Sequence, residues 1–364
     1  MGQQVRLGVI GTGMMGCEHI RNVMALDGAE ITAVSDPNDV PLDWARANLG
    51  DSAGRVSAFR DHRDLLASGL VDGVIVASPN HTHIDVLRDV LATNVPVLVE
   101  KPLCTTIDDC VEVERRAAAR DAITWVGLEY RYMPTISGLI DVVRSGELGA
   151  LKMFSIREHR FPFLVKVDNW NRFTRNTGGT LVEKCCHFFD LMNLVVGVRP
   201  SRVYASGGQD VNHLDEVYDG ERSDILDNAF VIVDYENGVR AHLDLCMFAE
   251  GGRNEQELTA VGSLAKAETA IPGDGRVYVG HRFEPGVREV DAPMHDSVAH
   301  TGFHHGASFI EVARFCDAVR NGTPAEVTPH DGLMSVAVGV AAHRSIDEGR
   351  PVMIDELIGE INSR

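Results

Sequence analysis

The sequence predicts an α/β protein with a doubly wound parallel sheet at its N-terminal end. A C-terminal α+β domain with an open, mainly antiparallel sheet follows. Three observations predict this. Apolar strand-like runs alternate with helix-like segments through the first third of the chain, the pattern of a parallel sheet covered by helices. The first of these runs, Val5–Ile10, leads straight into Gly11-Thr12-Gly13-Met14-Met15-Gly16 and then a helical segment. After about Arg131 the alternation gives way to strand-rich sequence, including apolar runs at 229–235 and 239–245 around Asn237-Gly238, a tight-hairpin signal. The expected domains are therefore 1–130 and 131–364.

The elements are expected in this order. Strand 5–10 and helix 14–26 are followed by strand 31–34, which delivers Asp36. Strand 71–77 ends in the turn Ser78-Pro79-Asn80, and helix 83–91 follows. Strand 95–99 ends in Glu100-Lys101-Pro102, followed by the amphipathic helix 107–119 and the short strand 124–127. The second domain begins with helix 134–145, strand 151–156 and helix 181–196. Strands at 202–205, 229–235 and 239–245 and further short strands between 257 and 290 complete its sheet. Helices 308–320 and 331–348 close the chain, and the pattern leaves open that they pack back on the first domain.

A length of 364 residues exceeds one ordinary α/β domain. The hydrophobic fraction of 44% supplies material for two cores, and the charged fraction of 24% is ordinary. A formal charge of −19 opposes nucleic acid and anionic membrane surfaces as partners. No apolar run is long enough to span a bilayer. Met1-Gly2-Gln3-Gln4 lacks the basic region and apolar core of a leader, and Arg6 stands where a myristoylation motif has Ser or Thr. The 7 cysteines are scattered, and Cys185-Cys186 lacks the CxxC spacing of a zinc site. All are read as small buried hydrophobes of a cytoplasmic protein.

The strand–glycine turn–helix–strand–acid unit is the layout that binds a dinucleotide. Gly11 permits the tight turn, Gly13 lets backbone approach a pyrophosphate, and Gly16 lets helix and strand pack closely. Thr12, Met14 and Met15 lie between them, and the helix N-terminus offers N–H groups and a positive dipole end. A carboxylate at Asp36 would accept hydrogen bonds from a free adenosine ribose and repel a 2′-phosphate. The next residues, Pro37, Asn38 and Asp39, include no arginine, so NAD is favoured over NADP. Gly11, Asp36, Ser78 and Lys101 all fall at strand ends, where ligands of such sheets bind.

Two clusters could carry chemistry. Lys101, after Glu100 and before Pro102, stands where a lysine can reach across the nicotinamide, and partial desolvation would fit it to acid–base work. A surface lysine before a proline-started loop is the alternative. The second cluster follows Gly178-Gly179. On one helix, Glu183, His187 and Asp190 would share a face, with Lys184 close by. A carboxylate beside an imidazole supports a general base. An isolated Glu–His pair is more often a surface capping pair, but two glycines just ahead favour close approach by a ligand or backbone.

Together, the glycine motif, Ser78-Pro79-Asn80 with His83, Glu100-Lys101-Pro102 and Gly178-Gly179 through His187-Phe188-Phe189-Asp190 resemble the Gfo/Idh/MocA oxidoreductase family over essentially the whole chain. The resemblance implies a Rossmann domain joined to an open-sheet substrate domain, and oxidation or reduction of a secondary alcohol on a sugar or cyclitol without a metal. Lys101 is then the active-site lysine and His187 the acid/base. Asn80, His83 and Glu100 would line the cofactor crevice, and His159 and Arg160 would lie near the substrate. Trp170 and Arg172, ahead of the glycine pair, would wall a sugar site or anchor an interface. The sequence departs from the family at Glu183, where many members have Asp, and at Phe161, where a polar residue is expected for inositol. A cluster of Lys101, Lys184, Arg160 and Arg172 would suit an anionic sugar.

The reading is an NAD-dependent dehydrogenase of a carbohydrate or cyclitol. Lys101 and His187 manage the proton, Glu183 orients the imidazole or the substrate, and Lys184 joins the site. An NAD-recycling glycosidase working by oxidation, elimination, hydration and reduction is the alternative, and a non-catalytic NAD-binding regulator a third. A homodimer or homotetramer is expected, because an open sheet face needs covering. His295, His300, His304 and His305 are read as a solvated or substrate-edge loop rather than a metal site.

Overall fold

The computed structural model describes residues 4–362. The start of the chain, on which the leader-free reading rests, lies outside the described residues. The chain divides into two compact units. One runs up to Tyr132 and includes Asp296–Leu333; the other holds Met133–His295 and the chain from Met334 onward. Residues 296–333, placed by sequence in the second domain, thus belong to the first unit, and the division falls inside the helix Pro329–Glu348.

In the first unit, β1 (Val5–Ile10), β2 (Ala29–Ser35), β3 (Ser57–Phe59), β4 (Gly73–Val76), β5 (Val97–Glu100) and β6 (Thr124–Gly127) form one sheet in the order β3-β2-β1-β4-β5-β6. Every pairing is parallel. Strands β4, β5 and β6 are buried at every residue. Helices on both faces explain why they read as continuous apolar runs rather than alternating ones. Helix Ala307–Asn321 packs against helix Met14–Met24 and sets Phe315 edge-on to Trp125, with centroids 6.4 Å apart. Helices Asp39–Leu49 and His62–Ala67 and the short strand β3 were not anticipated; β3 buries no residue fully, so it leaves little apolar signal.

In the second unit, the strands are β7 (Leu151–His159), β8 (Pro200–Gly208), a small hairpin of β9 (Val217–Tyr218) and β10 (Glu221–Arg222), β11 (Asn228–Tyr235), β12 (Arg240–Cys246), β13 (Gln256–Gly262), β14 (Ala265–Ile271), β15 (Arg276–His281), β16 (Arg288–Asp291) and β17 (Val352–Met353). Outside the small hairpin they form a nine-stranded sheet, β16-β15-β14-β13-β7-β12-β11-β8-β17. Only β7 and β12 pair in parallel; the other neighbours are antiparallel. Residues alternate between a buried and a wetter face, as an open antiparallel sheet requires. Helices Pro134–Arg144 and Cys186–Val196 pack on this sheet. Its exposed side carries Met153, Tyr204, Phe230, Ile232 and Met353. Asn237-Gly238 closes the β11–β12 hairpin, with Gly238 at φ +81°.

The expected helix 181–196 is two helices, Thr180–Glu183 and Cys186–Val196. The hydrogen-bond ladder restarts at Cys185, whose carbonyl accepts from the N–H groups of both Phe188 and Phe189. Glu183 and His187 therefore do not share one continuous helix. Residues 186–192 are all buried, so this helix is covered on every side rather than along a stripe. The cysteines are free and buried, apart from the half-buried Cys246. Among the described residues, no helix is long and apolar enough to cross a membrane.

Candidate active site

The carboxyl ends of β2, β1, β4 and β5, adjacent in the first sheet, carry Asp36, Gly11, Ser78 and Lys101. Parallel register makes these ends one edge, so the expected convergence of the four follows from strand order. Gly11 has φ +87°, and a Cβ there would meet the backbone of Ala77 and Ser78. A Cβ on Gly16 would collide with the Gly11 carbonyl oxygen. A Cβ on Gly13 would meet nothing within 4 Å, so this glycine opens the turn outward at the start of helix Met14–Met24. Thr12 is buried, whereas Met14 and Met15 are half-buried.

Asp36 holds the turn in place. Its Oδ2 accepts from the Thr12 N–H at 3.0 Å and its Oδ1 from the Asn38 N–H at 3.0 Å. Each oxygen keeps a second lone pair. The fold also brings in an arginine that local sequence conceals. Arg60, just past β3, donates to the Pro37 carbonyl at 3.0 Å and pairs with Asp39, so its charge is already matched.

At the end of β5, the buried Glu100 accepts from the Lys101 N–H at 3.1 Å and meets His19 Nε2 at 2.7 Å. Burial pushes the Glu100 carboxyl up, but His19, Lys101 and His304 outweigh it and hold it below the usual carboxylate range. Lys101 is half-buried. His83 is corrected from a crevice-lining residue to an internal strut. It is fully buried, with Nδ1 2.9 Å from the Pro102 carbonyl and Nε2 3.0 Å from the Ser78 carbonyl. Burial lowers its pKa, so the neutral ring donates to one carbonyl at a time while spanning both loops. Asn80 is buried beside it in the 78–82 turn.

The histidine-rich stretch is a loop, mostly exposed from Pro293 to Phe303, and two of its histidines have partners that sequence did not suggest. His300 Nε2 lies 3.4 Å from the buried Glu18, and the Phe303 N–H donates to the same carboxylate. His304 Nδ1 lies 3.2 Å from the buried Glu129. Both histidines are partly exposed and also answer carboxylates of the first unit. Among the described residues, no group of three or more His, Cys, Asp or Glu could hold a metal ion.

In the second unit, Glu183, Lys184, His187 and Asp190 are all buried. Lys184 Nζ lies 2.9 Å from Glu158 Oε1, and Arg160 Nη1 lies 3.4 Å from the same oxygen. Burial lowers the Lys184 pKa and the nearby Arg160 lowers it further, while Glu158 works against both. Glu158 was missed, although a signal existed: it sits at the parity of the buried Phe154 and Ile156 on β7. His159 has the opposite parity and pairs with Asp244 at 3.1 Å, so it points to the other face of the sheet from Glu158. Arg160 stacks on Phe161, 4.3 Å above the ring, which gives the unexpected aromatic a role. Arg172 is buried and bound to Glu216 at 3.0 Å and to the Phe163 carbonyl. Trp170 is half-buried in the turn Val167–Arg172, where its carbonyl accepts from Asn176.

The glycine pair has a partner that sequence did not suggest. Gly179 has φ +86°, and a Cβ there would collide with the His343 ring. His343 Nε2 accepts from the Leu181 N–H at 3.1 Å, which caps helix Thr180–Glu183. Burial lowers the His343 pKa to about 4, so the neutral ring has the lone pair this bond needs.

Residues 5–128 match the family model of the oxidoreductase NAD-binding Rossmann fold, and residues 140–354 match its C-terminal alpha/beta domain. The chain belongs to the Gfo/Idh/MocA oxidoreductase family. It is an NAD-binding oxidoreductase, and the outward opening at Gly13 beside the Asp36 carboxylate fits a dinucleotide. Among its relatives, a Thermotoga maritima myo-inositol 2-dehydrogenase is 27% identical, covering 98% of this chain and 100% of the relative. A Bacillus subtilis NAD-dependent scyllo-inositol 2-dehydrogenase is 25% identical, covering 98% of each chain. Among solved structures, levoglucosan dehydrogenase with NADH and levoglucosan superposes with a TM-score of 0.83 at 18% identity, covering 97% of this chain and 100% of that one. That superposition establishes the shared fold.

Proposed function

We propose that the protein oxidises a secondary hydroxyl of a neutral sugar or cyclitol. The observation that carries this reading is the end-to-end correspondence with the Thermotoga maritima myo-inositol 2-dehydrogenase. When bound, NAD supplies the hydride acceptor. Asp36 holds the glycine turn and accepts from the adenosine ribose. Glu100, anchored by His19, fixes the backbone at Lys101. Lys101 Nζ and the His187 imidazole take the hydroxyl proton, with Glu183 orienting the imidazole or the substrate. The compensated state of Arg172 and Lys184 supports a neutral substrate over the anionic sugar that a bare cation cluster would suit. It also makes Lys184 a poor free base for a glycosidase cycle. The apolar outer face of the nine-stranded sheet is covered by a second copy, giving a homodimer or homotetramer, which light scattering checks.

The test follows NADH absorbance with a panel of cyclitols, sugars and sugar glycosides. NADH accumulation with neutral polyols supports the dehydrogenase. Aglycone release without net NADH would replace it with the NAD-recycling glycosidase. Function intact in Lys101→Ala and His187→Ala would point to a regulator.

A further inference from the structure

Glu158 lies at the carboxyl end of β7 on the buried face of the sheet, cross-strand from Leu245 and Gln256. A carboxylate there is expensive to bury alone. It is held by two cations, Lys184 at 2.9 Å and Arg160 at 3.4 Å, and Arg160 also lies 3.9 Å from Glu255. Two cations thus face two carboxylates. Lys184 directly follows Glu183, stands three residues before His187 and faces the Phe188 ring at 5.4 Å. Arg172, the remaining cation of the proposed substrate set in this unit, faces Glu216. Among Lys184, Arg160 and Arg172 these pairs leave no surplus positive charge to repay a sugar carboxylate for its lost hydration.

We propose that Glu158 is a specificity-determining residue: by cancelling Lys184 and Arg160 it admits a neutral polyol and turns away a sugar acid. The assignment rests on the proposed dehydrogenase site at His187. Replacing Glu158 by its neutral isostere takes one of the two carboxylates away from Arg160 and Lys184, leaving them a net positive pair beside Glu255, and converts repulsion into attraction.

The test uses NADH-loaded full-length protein, titrated calorimetrically with D-glucose and with D-glucuronate, which differ by a hydroxymethyl against a carboxylate. Wild type is expected to bind glucose at least tenfold more tightly than glucuronate. In Glu158→Gln, glucuronate affinity rises at least tenfold. Removing one partner of a buried pair is destabilising, so Glu158→Gln/Lys184→Met provides a second reading. It removes both members of the Lys184–Glu158 pair and still frees Arg160 from one of its two carboxylates, so glucuronate affinity rises at least threefold. NADH affinity reports that the first unit is folded, and a wild-type far-UV circular dichroism spectrum with a cooperative thermal transition reports the same for the second unit, which holds both substitutions. A folded, NADH-binding variant that gains nothing for glucuronate overturns the proposal. Wild-type turnover of neutral polyols with no such gain sinks the charge assignment alone, whereas no turnover of any polyol sinks the functional reading.

Discussion

Replacing Glu311 by glutamine should stabilise the protein, and increasingly so as the pH rises. Glu311 lies on helix Ala307–Asn321, is buried, and has no hydrogen-bond partner for either oxygen among the described residues. Burial pushes its pKa well above the usual carboxylate value, Glu129 and Glu100 push it further, and the Trp125 indole and Arg131 oppose them. The native state therefore keeps a proton that the unfolded chain releases above its ordinary value of 4.5. A native state that binds the extra proton loses stability as pH rises, by about 1.4 kcal/mol per pH unit once the unfolded carboxyl is ionised. The penalty grows over the interval between the unfolded value of 4.5 and the higher native one, and all of it is absent in Glu311→Gln. A unit of this size shifts its melting temperature by about 2–4 °C per kcal/mol. Thermal unfolding of both proteins at pH 5 and at successively higher pH should then show the gap in Tm widening, by up to about 3–5 °C per pH unit. His19, His304, Glu100, Glu129 and Arg131 are retained in both proteins, so their own titrations largely cancel in the difference. A gap independent of pH would mean that Glu311 is ionised in the folded state and would refute the assignment.

Three further outcomes are expected. Lys101→Met and His187→Asn should each lower kcat at least about 100-fold with NADH affinity little changed, the loss typical of a proton-transfer group; steady-state kinetics and fluorescence titration separate the two. Asp36→Ser/Asp39→Ala should raise the NADP-to-NAD preference in kcat/KM at least tenfold, because it removes two carboxylates and frees Arg60. Gly179→Ala should cost about 2 kcal/mol or more in urea unfolding, from positive φ and collision with His343.

Acid should weaken the same contact at His343. Its pKa is depressed to about 4 from 6.5, so the stability linked to the neutral ring is fully present above 6.5 and is lost as pH falls through 4. The separation of these two values corresponds to about 3 kcal/mol, and His343→Gln, which retains an acceptor, should flatten that part of the acid-unfolding curve.

Most of the first unit was legible because its signals are local. A glycine that needs φ +87° must be glycine wherever it sits, and doubly buried strands must be apolar throughout. The hairpin at Asn237-Gly238 was legible for the same reason. The break at Lys184-Cys185 was not, since both residues keep helical angles and apolar periodicity runs across the break. His83 was misplaced because its partners, the carbonyls of Ser78 and Pro102, belong to separate loops. The partners of His300 and His304 were not legible, because Glu18 and Glu129 are far away in sequence.

By itself, the sequence determined the dinucleotide turn, the acid that follows it, the two-part architecture and the residue types available for chemistry. Each depends on backbone conformation or burial within a few residues. Only the tertiary structure decided which charges remain available. Lys184 and Arg160 meet Glu158, Arg172 meets Glu216, Glu100 meets His19, and Gly179 makes room for His343. A charge attracts or repels a ligand according to what already neutralises it, and that neighbour is chosen by sheet register and helix packing rather than by proximity along the chain.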